Sequence, residues 1–174
     1  MIKILFKIFF TFALLQTTLY AKEINIDKLV QNSNKSNKKV LLYLHRVGCA
    51  YCNSMEEFTL EDELVLEYMQ SNYEIVHINV SYKDIFIYKG KKSGGHCLAK
   101  RIGYAFYPSS LFLDKNGDIA YPVVGYKNEY EFLVILQYFK EDYYKTMTLK
   151  EYKKKIGFTK NLDEEIQDTR EHDR

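Results

Sequence analysis

Residues Val40 to Leu44 form an unbroken run of apolar and aromatic side chains, and two cysteines, Cys49 and Cys52, follow it just past Gly48. Such a run lacks the alternation of a half-exposed strand and predicts a β-strand buried on both faces. Beyond Cys52, Met55 and Phe58 stand three residues apart, a spacing that suits one face of a short helix. Strand, tight turn and helix start, in that order, place Cys49 over the positive end of a helix. There the dipole and the unpaired backbone N–H groups stabilise a thiolate, the reactive form of cysteine. Cys49, at the turn, is expected to be exposed and to attack; Cys52, deeper in the first helical turn, is expected to be more buried and to resolve. The two thiols are close enough in sequence to close a small disulfide ring, so that two electrons pass by thiol–disulfide exchange.

Further along, Tyr107-Pro108 leads into Ser109–Asp114, and Asn116-Gly117 separates that segment from Asp118–Val124. Two strand-like runs joined across Asn-Gly are a strong hairpin signal. Val124-Gly125-Tyr126 follows. This ordered set of strand, C-x-x-C, X-Pro before a strand, hairpin and glycine resembles the thioredoxin superfamily, and within it the exported thioredoxin-like proteins of bacterial envelopes. The resemblance covers roughly Lys38 to Phe139. It implies an α/β fold, a thioredoxin-like central sheet flanked by helices. It also implies a cis Tyr107–Pro108 bond, which lets the backbone of Tyr107 face the cysteines and pair with an extended client. Tyr107, Pro108 and Gly125 are then the client-binding residues, with Cys49 and Cys52 the catalytic pair. The activity implied is thiol–disulfide exchange on other envelope proteins, reductase- or isomerase-like, with no diffusible cofactor. A membrane electron carrier or another thiol protein would recharge the pair.

Three positions depart from the family pattern. Gly48 rather than Trp precedes Cys49. Tyr43 stands six residues before Cys49, where many members keep a buried acid that assists the resolving thiol. Tyr107 rather than Thr or Val precedes Pro108, so a narrower and more aromatic client groove is expected.

Of the 174 residues, 47% are hydrophobic, enough for one globular domain with a proper core. The formal charge of +2 includes Lys3 and Lys7 near the start, so the remainder is about neutral, which disfavours nucleic acid as a partner. Residues 1–21 read as a secretory signal, with Lys3 and Lys7 as the positive region, Ile8 to Leu15 as the apolar core, and Ala21 before the cut. The competing reading is an uncleaved anchor, but the apolar run is short against a span of about twenty residues. A periplasmic location follows, with the domain over 22–158 and a charged tail over 159–174.

Other uses of the cysteines stay open on the residues alone: a structural disulfide, or a metal-binding or metal-delivery site in which His96 and Cys97 join Cys49 and Cys52. Cys97 by itself reads as a small, partly buried hydrophobe or as a modifiable thiol. His45 and Arg46 read as a surface-facing strand end able to tune the thiolate. Asn32 to Lys39 reads as a polar connector, and Ser81 to Gly95 as a mobile loop. Leu64, Val65, Tyr68 and Met69 predict a helix within Glu61–Ser71, Tyr73–Val80 a second strand, and Cys97–Ile102 a short helix. Asn128 is the expected cap of a helix carrying Phe132, Leu133, Ile135, Leu136 and Phe139, and Glu141–Phe158 reads as one further amphipathic helix. Pro122 is expected at a sheet edge.

Overall fold

A computed structural model describes residues 21–158. The signal expected over 1–21, apart from Ala21, and the tail over 159–174 lie outside the described residues. In chain order the elements are β1 (Glu23–Asn25), α1 (Ile26–Lys35), β2 (Lys39–His45), α2 (Ala50–Ser54), a π-helical turn (Met55–Leu60), α3 (Glu63–Asn72), β3 (Tyr73–Asn79), β4 (Ile85–Tyr88), β5 (Lys91–Gly94), α4 (Gly95–Arg101), β6 (Ser109–Leu113), β7 (Ile119–Val124), α5 (Glu129–Lys140), a 3-10 turn (Tyr143–Lys145) and α6 (Leu149–Lys155). Among the described residues, no helix is long and apolar enough to cross a membrane.

The main sheet has the order β3-β2-β6-β7, with β2 parallel to β3 and the remaining pairs antiparallel. A parallel pair needs a crossover, and the helices between β2 and β3 supply it. β2 is buried on both faces because each face has its own core. Val40, Leu42 and Leu44 pack with Ile26 and Val30 of α1 and with Phe86 and Leu98. Leu41 and Tyr43 face the opposite side, against Met55, Val65, Phe112 and Phe139. The unbroken apolar run therefore has a simple cause: neither face of this strand meets water. Pro122 lies on β7, the outer strand, where a missing N–H is tolerated. Asn128 caps α5, its Oδ1 accepting from the Glu131 N–H.

Several expectations need correction. Phe58 does not share the face of Met55; it is exposed, while Thr59 and Leu60 are buried. The π-helical turn carries more residues per turn than an α-helix, so the buried positions after Met55 fall four and five residues on rather than three. Leu64 is likewise exposed, and Val65 and Met69 hold the buried stripe of α3. The supposed connector begins as helix: α1 runs to Lys35 and buries Ser33, whose hydroxyl donates to the Leu29 carbonyl. Glu141–Phe158 is broken, not one helix. Asp142 is left-handed, with φ +59°, and Thr148 starts α6 afresh through a capping box with Glu151.

The expected loop over Ser81–Gly95 is in fact the β4–β5 hairpin, which joins β1 in a small second sheet, β1-β4-β5. Its two-residue turn, Lys89-Gly90, has positive φ at both positions, the backbone that usually selects Asn-Gly. The turn is held from outside: the Asp27 carboxylate accepts from the Lys89 and Gly90 N–H groups, at 2.8 Å each. Asp27→Asn is expected to cost about 1 kcal/mol. The measurement is hydrogen exchange, in which the β4–β5 amides should speed up while those of β2 do not.

Candidate active site

β2 ends at His45, and Gly48 turns the chain with φ +72°. A Cβ there would meet nothing within 4 Å, so the constraint is one of backbone conformation rather than space. This accounts for the glycine before Cys49. Cys49 then caps α2: its backbone is extended, and its Sγ accepts from the Cys52 N–H at 3.2 Å. Cys49 and Cys52 are joined as a disulfide, with their Cα atoms 5.2 Å apart. Cys52 is 1% exposed, as its deeper position required. Cys49 is only 8% exposed, which corrects the expectation of an open sulfur: the segment before β6 lies over it.

Two hydrogen bonds fix that segment, and a third holds the loop beside it. The Ser109 hydroxyl donates to the Phe106 carbonyl at 2.6 Å, and the Gly125 N–H donates to the Pro108 carbonyl at 2.8 Å. The Thr59 hydroxyl donates to the Lys127 carbonyl at 2.6 Å, tying the Gly125 loop to the π-helical turn. The Tyr107–Pro108 peptide is cis, and the Tyr107 carbonyl oxygen lies 3.8 Å from Cys49 Sγ. Cys49, Tyr107, Pro108 and Gly125 are thus linked in one assembly. Arg46, Cys49, Tyr51, Phe106 and Tyr107 line an open groove of about 530 Å³ at this point. Tyr51 and Phe106 are 68% and 66% exposed on its walls, and Val47 is exposed nearby.

A family model described as a thioredoxin-like domain matches residues 26–140. The chain belongs to the thioredoxin-like domain family. Its fold is accordingly the thioredoxin-like α/β fold, here with a C-terminal helical extension. Among solved structures, a thioredoxin-fold protein from Helicobacter pylori is similar at 25% identity and a TM-score of 0.59, covering 73% of this chain and 87% of that one. A thioredoxin from Thermus thermophilus is similar at 21% identity and a TM-score of 0.52, covering 67% and 85% respectively. Comparison with curated proteins finds no match.

Within this thioredoxin-like frame, Tyr43 occupies the place beneath the cysteine helix. Its hydroxyl donates to the Cys52 carbonyl at 3.3 Å, and burial, with the Glu56 carboxylate second, pushes its phenol well above the ordinary range. His45 is not the surface-facing residue expected. It turns inward, stacks on Tyr43 with ring centroids 5.1 Å apart, and sets Nδ1 2.5 Å from Glu56 Oε1. Burial lowers the His45 pKa from its ordinary value, which disfavours the charged imidazole beside this carboxylate. His96 and Cys97 lie exposed at the start of α4, so Cys97 is no partly buried filler. Among the described residues, no group of three or more His, Cys, Asp or Glu side chains is arranged to hold a metal, and the set of Cys49, Cys52, His96 and Cys97 is not assembled.

Sequence reasoning passed over Phe106 and Glu56. Phe106 carried no signal beyond adjacency to Tyr107-Pro108. Glu56 did carry one, standing four residues after Cys52 and therefore on its side of the helix.

Proposed function

We propose that this protein is an exported thiol–disulfide oxidoreductase acting on the cysteines of other envelope proteins. The observation that carries the reading is the placement of Cys49 Sγ: it caps a helix, beside the Tyr107 carbonyl, at the floor of a groove that reaches the surface. The Cys49 thiolate attacks one sulfur of a client disulfide, and the other client sulfur leaves as a thiolate. Cys52 then attacks Cys49, closes the ring and frees the second client thiol, so the client gains the two electrons that the dithiol loses. Tyr107, Pro108 and Gly125 hold the client strand, and the exposed Tyr51 and Phe106 favour apolar residues beside its cysteine. Export rests on the leader-like residues 1–21, and a membrane electron carrier or thiol protein restores the dithiol.

The direction is reductive or isomerising. Neither Ala50 nor Tyr51 carries charge, so the helix terminus and the Cys52 N–H are left to stabilise the thiolate. The potential is expected closer to about −270 mV than to about −120 mV. Equilibrating the purified protein with glutathione measures it, and reduction of insulin disulfides tests the activity. A value at the oxidising end, or no insulin reduction by the reduced protein, defeats the reading.

A further inference from the structure

The client groove holds a charge that the exchange chemistry does not use. Among the described residues that line it, Arg46 alone is charged. Arg46 is exposed, and among the described residues it takes part in no ion pair. Arg101, the other arginine of the described residues, is by contrast tied down, its Nη1 donating to Ser93 Oγ at 3.1 Å.

The backbone on both sides of Arg46 is fixed. The His45 carbonyl before it accepts from the Val80 N–H at 2.9 Å, and the Val47 N–H after it donates to Ser81 Oγ at 3.2 Å. Both bonds lead to the segment that follows β3, so Arg46 is held between two tethers at the end of β2. Its charge reaches the opposite wall of the groove: burial raises the Tyr107 phenol pKa, and the Arg46 guanidinium opposes that rise. Tyr107 is the residue whose carbonyl oxygen lies 3.8 Å from Cys49 Sγ. The guanidinium therefore shares the short stretch of groove into which a client cysteine must come.

A guanidinium is a planar fork of donors that matches a carboxylate, and a charge at the rim of a binding surface steers what arrives before contact is made. The exposed Tyr51 and Phe106 supply no charge to answer it. We infer that Arg46 selects client segments with an acidic side chain within two residues of the cysteine that Cys49 attacks, and disfavours those with a basic one there. Strand geometry sets that limit. An extended client advances about 3.3 Å per residue, so an acid farther along the chain passes beyond a side chain anchored at Arg46, close before Cys49. The client class is thus an acidic, partly apolar segment around a cystine. The exchange keeps the bonds made and broken as already given; Arg46 acts on which segment enters.

This inference rests on the oxidoreductase reading, and the test separates the two. In a Cys97→Ser background, the reduced protein is mixed with short peptides whose single cysteine is linked to pyridine-2-thiol, an uncharged leaving group. The peptides share one apolar neighbour of the cysteine and carry Asp, Asn or Lys two residues before it or two residues after it. The Cys49 thiolate attacks the peptide sulfur, and absorbance follows the pyridine-2-thiol released. Each rate is divided by the rate with dithiothreitol, an uncharged dithiol, which removes the intrinsic reactivity of the peptide. In at least one placement, Asp is expected to react about 5-fold faster than Asn, and Lys more slowly than Asn. The preference should shrink as salt rises from roughly 0.02 M to roughly 0.5 M. Arg46→Gln should erase it, Arg46→Glu should invert it, and Arg46→Lys should keep a smaller preference for Asp. A change in Cys49 acidity or in the fraction folded moves all peptides alike and cancels in the ratio. If no peptide reacts at Cys49, the oxidoreductase reading fails with this one. Equal rates for Asp and Lys in both placements, or an acid preference that survives Arg46→Gln, overturn the charge selection alone.

Discussion

Replacing Cys52 with Ala is expected to turn the protein into a trap, with client proteins held on Cys49 as mixed disulfides. The reason is geometric: Cys49 keeps its cap position and its place beside the Tyr107 carbonyl, while the only thiol in reach to release the client is gone. Cys49→Ala should behave oppositely. It retains a thiol at Cys52, but that sulfur is buried beneath the helix start and meets no client. Both changes should remove turnover of a disulfide substrate by on the order of 10³-fold or more, since the two thiols act as a unit. Only one should accumulate adducts, which non-reducing gels and mass spectrometry will distinguish. Equal trapping by the two variants would reverse the roles or dissolve them.

The largest loss of stability is expected at Phe112. It is fully buried on β6, with ring centroids 4.9 Å from Phe139 and 5.9 Å from Tyr73. Phe112→Ala removes the ring common to these contacts and leaves a hole between β6 and α5. The cost should be about 3–5 kcal/mol, against a total of about 5–15 kcal/mol for a domain of ordinary stability. Urea unfolding measures it, with the midpoint falling and the slope unchanged. Phe58→Ala is the paired control. The apolar spacing of the sequence puts Phe58 in the core, whereas the structure puts it in solvent, where loss of the ring should cost no more than about 0.5 kcal/mol.

That contrast shows where the sequence was legible. β2 and its cysteines could be read because burial on both faces leaves an unmistakable apolar run, and Asn116-Gly117 because a tight turn demands those residues. Phe58 was misread because nothing in the residues announces a π-helical turn. The β4–β5 hairpin was hidden because the chemistry holding its turn sits elsewhere: Asp27, far back in the chain, supplies acceptors that let Lys89-Gly90 do what Asn-Gly usually does. Within the site, Cys49, Tyr107, Pro108 and Gly125 came from ordered motifs. His45 reads as a surface residue in the sequence because the side chain it faces, Glu56, lies on another element.

β2 is hydrogen-bonded along both edges and covered on both faces, and the cysteine turn leaves directly from its end. A reactive group mounted on so firmly held a strand has little freedom to seek its target. Under the proposed function, adjustment would then fall to whatever arrives, and a cystine in a slack or not yet folded segment is expected to react faster than one embedded in a rigid, folded surface. If the proposed function holds, the firmness of one strand would act as a filter on the folding state of the clients.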